Sequence, residues 1–234
     1  MVSFAYREFA VFPELLRLGD TWSSNHQHSF GEIVGADDEP YSELRYDGPS
    51  DHSDFERIVV THEWIYRHEM RFQNQHRSHA ILRAEFCLYL CRSKGFYLAQ
   101  TNRTRCRQLD KRFCDADIEA GIREVEVDIV ALQKVFEQQI TGGWFTKCKL
   151  GSVRTAAIFG DELVTASEDW SHYNKSGECS SLNVDLDIDG DSFSVMMTRH
   201  GNVVVRRKCS ESLSLEIASR VVAVMQAHQR KALP

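Results

Sequence analysis

Four aspartates occur at alternate positions in one short stretch, and carboxylates are ligands that hard cations prefer. The stretch runs from Asp185 to Asp191 and reads DLDIDGD, which fits the first half of a calcium-binding loop. Such a loop ends in a bidentate glutamate at its twelfth position, where this chain has Met196. The alternation of acidic and apolar residues instead predicts a strand, with Asp189-Gly190 as the turn of a hairpin.

The same aspartates suggest a second chemistry, the metal-dependent hydrolysis of phosphodiesters. Alternate residues on a strand lie roughly 6.5 to 7 Å apart, which is too wide to chelate one ion tightly. A metal-dependent phosphodiesterase or nuclease, with Asp187 as its test residue, therefore stays an alternative. The sequence assigns no catalytic residue.

Histidines and cysteines are the other candidate ligands, and their spacing is wrong for a metal. The string that begins at His62-Glu63 has Tyr66 where a zinc protease motif has its second histidine. Cys87 and Cys91 fall on a predicted strand, roughly 13 Å apart. We therefore predict no metal site and no cofactor.

The chain is acidic at both ends and basic in the middle. Net charge is −9 over residues 1–56, +8 over 57–112 and −5 over 113–234. The basic segment also contains seven aromatic residues, and cations interleaved with aromatics suit a phosphate backbone and unstacked bases. We therefore predict a non-enzymatic binding or regulatory protein that contacts nucleic acid, DNA or RNA, through this segment. The candidate contacts are its basic side chains: Arg67, Arg71, Arg77, Arg83, Arg92, Lys94, Arg103, Arg105, Arg107, Lys111 and Arg112.

Two other interpretations of the charge pattern stay open. The basic segment can pair with the acidic N-terminal residues of the same chain, and its aromatics then belong to the core. Alternatively, the acidic residues 1–52 form an irregular arm that docks on a basic partner protein or on a second copy of the chain, as a protein–protein interaction module.

The expected location of the protein in the cell is inferred from features that the sequence lacks. The longest apolar runs are far shorter than the roughly 18 residues of a membrane helix, and the N-terminal residues lack the features of a secretory signal. Seven cysteines, an odd number with no CxxC pair, fit reduced thiols better than a disulfide framework. We expect a cytoplasmic protein with no membrane partner.

The order of predicted elements favours an α+β fold, a mostly antiparallel sheet with helices packed on one face. A capping box at Ser53–Glu56 and apolar residues at helical spacing predict a helix from Ser53 to Met70. Strands follow at 80–91 and 95–100, and then a basic helix at 102–120. Asp128, Ser167 and Ser210 are predicted to cap three further helices, and Gly142-Gly143 to end the first of these. The predicted divisions are an acidic arm (1–52), a basic α+β subdomain (53–141) and a C-terminal α+β subdomain (142–234).

Overall fold

The computed structural model describes residues 1–15, 17–25, 40–72, 75–115 and 121–230; in these ranges it describes all side chains except those of residues 24, 25, 67–72, 75–79, 115, 150 and 166. The described strands are β1 (Val2–Glu8), β2 (Thr21–Asn25), β3 (Tyr41–Pro49), β4 (Glu56–Phe72), β5 (Gln75–Cys91), β6 (Phe96–Ala99), β7 (Arg123–Glu124), β8 (Ile140–Leu150), β9 (Val153–Phe159), β10 (Glu178–Ile188), β11 (Asp191–Thr198) and β12 (Asn202–Val205). The described α-helices are α1 (Arg103–Asp115), α2 (Ile129–Val135), α3 (Leu163–Ala166), α4 (Glu168–Ser176) and α5 (Glu211–Ala227).

The chain divides into two compact units. One consists of Arg7–Arg123 and is called the α1 unit here; the other consists of Met1–Tyr6 with Glu124–Pro234 and is called the α5 unit. Each contains an antiparallel sheet and helices, which confirms the predicted α+β class. None of the helices described is both long enough and apolar enough to cross a membrane.

The sheet of the α1 unit is a meander in the order β2-β3-β4-β5-β6. Leu44, Val60 and Phe86 lie opposite one another on three neighbouring strands, so their side chains share one face of the sheet. Helix α1 supplies Leu109 and Phe113 to the core, both fully buried. The Phe113 ring stacks on Trp22 of β2 at 5.0 Å and meets Phe12 at 5.6 Å. These contacts fix α1 against the apolar face of its sheet.

The predicted helix from Ser53 to Met70 is wrong, because these residues form a turn and then strand β4. The amide of Phe55 donates to the carbonyl of His52, which makes the turn. From there Ile58, Val60 and His62 are all fully buried at every second position, which is the period of a strand. The run Ile58-Val-Val-Thr61 consists of β-branched residues, which favour strands, and pairing with β3 and β5 on either side overrides the apparent helical spacing.

The sheet of the α5 unit has the order β1-β12-β11-β10-β8-β9. Its buried face carries Val184, Val195 and Val205, which lie opposite one another on β10, β11 and β12. Helices α2, α4 and α5 pack against β10, β8 and β12 respectively. The fully buried residues of α5 are Leu215, Ile217, Ala218, Val222 and Met225. Helices on one buried face of a sheet are the arrangement that the sequence predicted.

Three predicted helix caps are confirmed. The Asp128 carboxylate accepts hydrogen bonds from the amides of Val130 and Ala131, at 3.0 and 3.2 Å. The Ser167 and Ser210 hydroxyls each accept one from an amide three residues on, at 3.1 and 3.2 Å. The hairpin around Asp189-Gly190 is also confirmed, and both turn residues have the positive φ, 53° and 87°, that a tight two-residue turn requires.

Gly142 and Gly143 do not end a helix, contrary to the prediction. Helix α2 ends at Val135, and both glycines lie within β8. A Cβ atom on Gly143 would lie 2.8 Å from the Trp170 ring, and one on Gly142 would lie 2.5 Å from the Phe159 ring. Glycine is needed here because two aromatic rings lie directly on the strand backbone.

Substituting these two glycines is expected to have unequal effects. Gly143→Ala should lower the free energy of unfolding by about 1 to 3 kcal/mol, because Trp170 is buried and has no room to retreat. Gly142→Ala should cost less than about 1 kcal/mol, because Phe159 is mostly exposed and its ring can turn away. Urea unfolding of both variants measures the difference. Equal losses would contradict the packing described here.

The N-terminal residues contribute strands to the sheets. Among the described residues of 1–52, which the sequence predicts as an irregular arm, β1, β2 and β3 are regular strands. The acidic run at 37–39 lies outside the described residues. The two units divide at 6/7 and 123/124, whereas the predicted boundaries lie at 52/53 and 141/142.

Candidate nucleic-acid interface

Helix α1 carries the densest group of cations among the predicted contacts. Its sequence, RTRCRQLDKRFCD, contains five basic residues between 103 and 112. Arg103, Arg107 and Lys111 are spaced four residues apart, so they follow one line along the helix. The buried residues Cys106, Leu109 and Phe113 lie on the other side. We call Arg103, Arg107 and Lys111 the cationic stripe; Arg107 and Lys111 are exposed and Arg103 is half-buried.

A buried ion pair attaches α1 to its own sheet. Arg7 Nε donates to Asp110 Oδ2 at 2.8 Å, and the Arg7 side chain is 0% exposed against 17% for Asp110. The Tyr97 hydroxyl donates to the other oxygen of the same carboxylate. Asp110, the one acidic residue between 103 and 112, is therefore turned into the sheet and neutralised there. Arg107 and Lys111, on the same helix, are exposed.

The protonation states of this cluster follow from its surroundings. Burial disfavours the charged form of Arg7, but the charges of Cys106 and Asp110 outweigh burial and raise the pKa of Arg7. Burial, together with the same two groups, raises the pKa of Tyr97 well above its ordinary value. Arg7 therefore stays a cation and Tyr97 a neutral hydrogen-bond donor at every pH at which the protein is folded.

A polar contact joins strand β4 to strand β3. His62 is fully buried, and its Nδ1 lies 2.8 Å from the Ser42 hydroxyl. Burial, and after it the charge of Arg112, lower the pKa of His62 to about 4. His62 is therefore neutral near pH 7 and adds no positive charge to the surface.

Arg112 and Arg105 are both held by the protein. Arg112 is buried and donates to the backbone carbonyl of Glu63 at 3.3 Å. Arg105 is half-buried, with its guanidinium 5.2 Å from the centre of the Trp64 ring, a cation–π distance. The Trp64 ring in turn stacks on His62 at 5.9 Å. Of these two cations, Arg105 is partly accessible and Arg112 is enclosed by the protein.

Three predicted contacts on β5 and after it are already paired with carboxylates. Arg83 contacts Glu85 at 2.7 Å, Arg92 contacts Glu56 at 3.0 Å and Lys94 contacts Asp54 at 3.1 Å. Arg92 also donates to the carbonyl of Leu15 at 3.1 Å. Two of the three carboxylates belong to the acidic segment 1–56. For Arg92 and Lys94, the structure therefore agrees with the intramolecular pairing weighed above.

The remaining predicted contacts are Arg67, Arg71 and Arg77, whose side chains lie outside the described residues. Their backbone belongs to the β4–β5 hairpin, where Arg67 lies opposite His79 and Met70 opposite Arg77. The structure therefore brings together Arg103, Arg105, Arg107 and Lys111 on one helix and leaves the other predicted contacts apart from that group or inside the protein.

Most aromatics of the basic segment serve the core. Phe86, Tyr89, Phe96 and Tyr97 are buried, whereas Trp64 is half-buried and Tyr66 is mostly exposed. A base cannot stack on a ring that the protein already covers. Any contact with nucleic acid on this unit thus depends mainly on charge.

The alternative metal chemistry has no ligand cluster in the part of the chain that the structure describes. No three His, Cys, Asp or Glu side chains come together there as metal ligands would. Asp185 and Asp187 lie on strand β10, and Asp191 pairs with Arg207 at 3.1 Å. The aspartates are spread along a hairpin, as the alternation predicts.

The sequence did not predict the Arg7–Asp110–Tyr97 contact, which positions α1. Arg7 and Asp110 are 103 residues apart. At that separation, the order of charges along the sequence does not indicate which residues form an ion pair. One signal was available, because Asp110 is the one acid among five cations between residues 103 and 112. An isolated opposite charge of that kind often has an internal partner.

A scan against protein-family models and a search of curated protein sequences both find no match to this chain.

Proposed function

We propose that this protein binds nucleic acid through its phosphates, as a non-enzymatic binding or regulatory protein, with the cationic stripe of α1 as the contact. The observation that carries the proposal is the density of cations on α1. Its one acid within 103–112, Asp110, pairs with the buried Arg7, while Arg107 and Lys111 are exposed and Arg103 is half-buried.

The spacing of the stripe suits a polyanion. Residues four apart rise about 6 Å along a helix, so the three cations extend over about 12 Å. Duplex DNA carries one charge per about 1.7 Å of axis, and several phosphates therefore fall within reach of the stripe. Such contacts fix position and supply affinity without reading base sequence.

A cytoplasmic location is part of this proposal. Its support is that all seven cysteines are free thiols, two of them only partly buried and one exposed. Free thiols of this kind are typical of a reducing compartment.

The proposal predicts a large loss of binding when the stripe is neutralised. The triple variant Arg103→Gln, Arg107→Gln, Lys111→Gln should bind a fluorescent oligonucleotide at least tenfold more weakly than the wild type at low salt, because three phosphate contacts are removed. Fluorescence anisotropy with a single-stranded and a double-stranded probe of mixed sequence measures the effect and shows which form is preferred.

A control of equal charge comes from the α5 unit. Lys134→Gln, Lys175→Gln, Lys208→Gln removes three exposed cations from that unit and should bind as the wild type does. If this control weakens binding as much as the stripe variant, net charge rather than the stripe is responsible. Absence of wild-type binding at low salt would end the proposal.

A further inference from the structure

Strand β9 forms one edge of the α5 unit's sheet. It pairs with β8, in a continuous antiparallel register from Gly142 opposite Phe159 to Thr146 opposite Thr155. Among the described strands, no other pairs with β9. The outer edge of β9 therefore presents backbone N–H and C=O groups that no described strand satisfies, which is a template for another strand.

One face of β9 is open to solvent and the other is partly buried, although the strand is largely apolar. Its sequence is VRTAAIF, and the exposed residues alternate with half-buried ones near its end. Phe159 is 55% exposed and touches Trp144 edge-on at 4.8 Å. Exposed apolar residues on an edge strand, here Val153, Ala157 and Phe159, are typical of a surface that is covered in an assembly.

Proteins usually protect such an edge with proline, several charges or a bulge. Strand β9 has no proline, and Arg154 is its single charged residue. From Thr155 to Phe159 its pairing with β8 has no register shift. Over these five residues the edge strand is therefore regularly paired with β8 and lacks the features that usually protect an edge.

Charges on either side of β9 indicate which strand that partner is. Positive charge lies at the start of β9, from Arg154 on the strand and Lys149 at the end of the neighbouring β8, and Asp161 and Glu162 follow the strand. All four are exposed. Antiparallel pairing of two identical strands places the start of one beside the end of the other. A second copy of β9 thus brings the basic end of each strand near the acidic end of its neighbour, whereas parallel pairing opposes like charges.

We propose that β9 pairs antiparallel with β9 of a second copy of this chain, in a register centred on Ala156. Val153 then lies opposite Phe159 of the partner subunit, and Thr155 opposite Ala157 of the partner subunit. Arg154 meets Ile158 of the partner subunit, so no two like charges oppose each other. The result is one sheet continuous across a twofold axis, an isologous interface. This inference uses the α5 unit alone and does not depend on the proposed function of α1.

Charge reversal across the twofold axis tests the register. In sedimentation velocity over a concentration series, the wild type should reach twice the chain mass of 26.9 kDa. The double variants Thr155→Lys, Ala157→Lys and Thr155→Glu, Ala157→Glu should each remain at 26.9 kDa, because like charges then lie directly opposite each other. An equimolar mixture of the two should return to the double mass.

A matched control uses the same two positions. Thr155→Lys, Ala157→Glu places unlike charges opposite each other and should retain the dimer. Circular dichroism should show all variants folded, since both positions are exposed. A wild type that is monomeric at every concentration overturns the proposal, and so does a dimer that survives the double lysine change. If the lysine and glutamate variants do not associate when mixed, the proposed register is wrong. The edge of β9 would then be occupied by an extended segment of another protein.

Discussion

Replacing Asp110 by alanine is expected to lower the free energy of unfolding by about 3 to 5 kcal/mol. The change leaves Arg7, which is fully buried, as a charge without its carboxylate, and a buried charge that loses its partner is among the most costly defects in a protein. The Tyr97 hydroxyl also loses its acceptor. Urea or guanidinium unfolding at neutral pH measures the loss, and the midpoint should move with little change in slope.

Two further variants serve as controls for the expected loss of stability. Arg220→Ala breaks the exposed Arg220–Glu216 pair, whose N–O distance is 2.6 Å, and should cost less than about 1 kcal/mol. The double variant Arg7→Met, Asp110→Ala should be more stable than Asp110→Ala alone, because it removes the uncompensated charge. If Asp110→Ala and Arg220→Ala cost the same, Asp110 does not hold a buried cation.

Acid is expected to destabilise the protein by about 3 kcal/mol through His62 alone. In the unfolded chain His62 titrates near its ordinary pKa of 6.5, whereas in the folded protein its pKa is about 4. The unfolded state therefore binds more protons between these values, and stability falls as pH decreases from about 6.5 to about 4. Each unit of pKa difference corresponds to about 1.4 kcal/mol.

Unfolding of His62→Gln against pH isolates this contribution. The variant should be less stable than the wild type near neutral pH, since it disturbs a buried hydrogen bond to Ser42, but the gap should close as the solution is acidified. His172→Gln, at an exposed position, should keep the wild-type pH profile. Glu178, whose pKa Lys147 and Arg199 lower, adds a loss of stability in acid to every variant equally. Parallel profiles for the wild type and His62→Gln would contradict a buried neutral His62.

Elements whose signals are local could be predicted from the sequence. The caps at Asp128, Ser167 and Ser210 depend on a side chain and an amide two or three residues away, and the Asp189-Gly190 turn depends on two residues. The prediction for the residues of β4 was wrong because their buried positions recur at intervals that suit both a helix and a strand. Pairing with β3 and β5 on either side makes this segment a strand. A short stretch of sequence contains no information about such pairing.

The sequence predicted an excess of positive charge in the candidate interface, but it did not predict which of the charged side chains share a surface. The +8 segment contains Arg92 and Lys94, which pair with Glu56 and Asp54, at distances of 36 and 40 residues along the chain. It also contains Arg112, which is buried. Only the folded arrangement separates these cations from the stripe on α1, because ion pairing across strands depends on register rather than on composition.

The salt dependence of oligonucleotide binding tests the central claim most directly. For a duplex probe, the slope of log K against log salt concentration should be less steep by about 3 in the stripe variant than in the wild type, at about 0.9 per lost phosphate contact, or by about 2 for a single strand. The control variant with three lysines replaced in the α5 unit should keep the wild-type slope. Identical slopes for the wild type and the stripe variant would show that Arg103, Arg107 and Lys111 touch no phosphate, and the account of α1 as a nucleic-acid contact would be wrong.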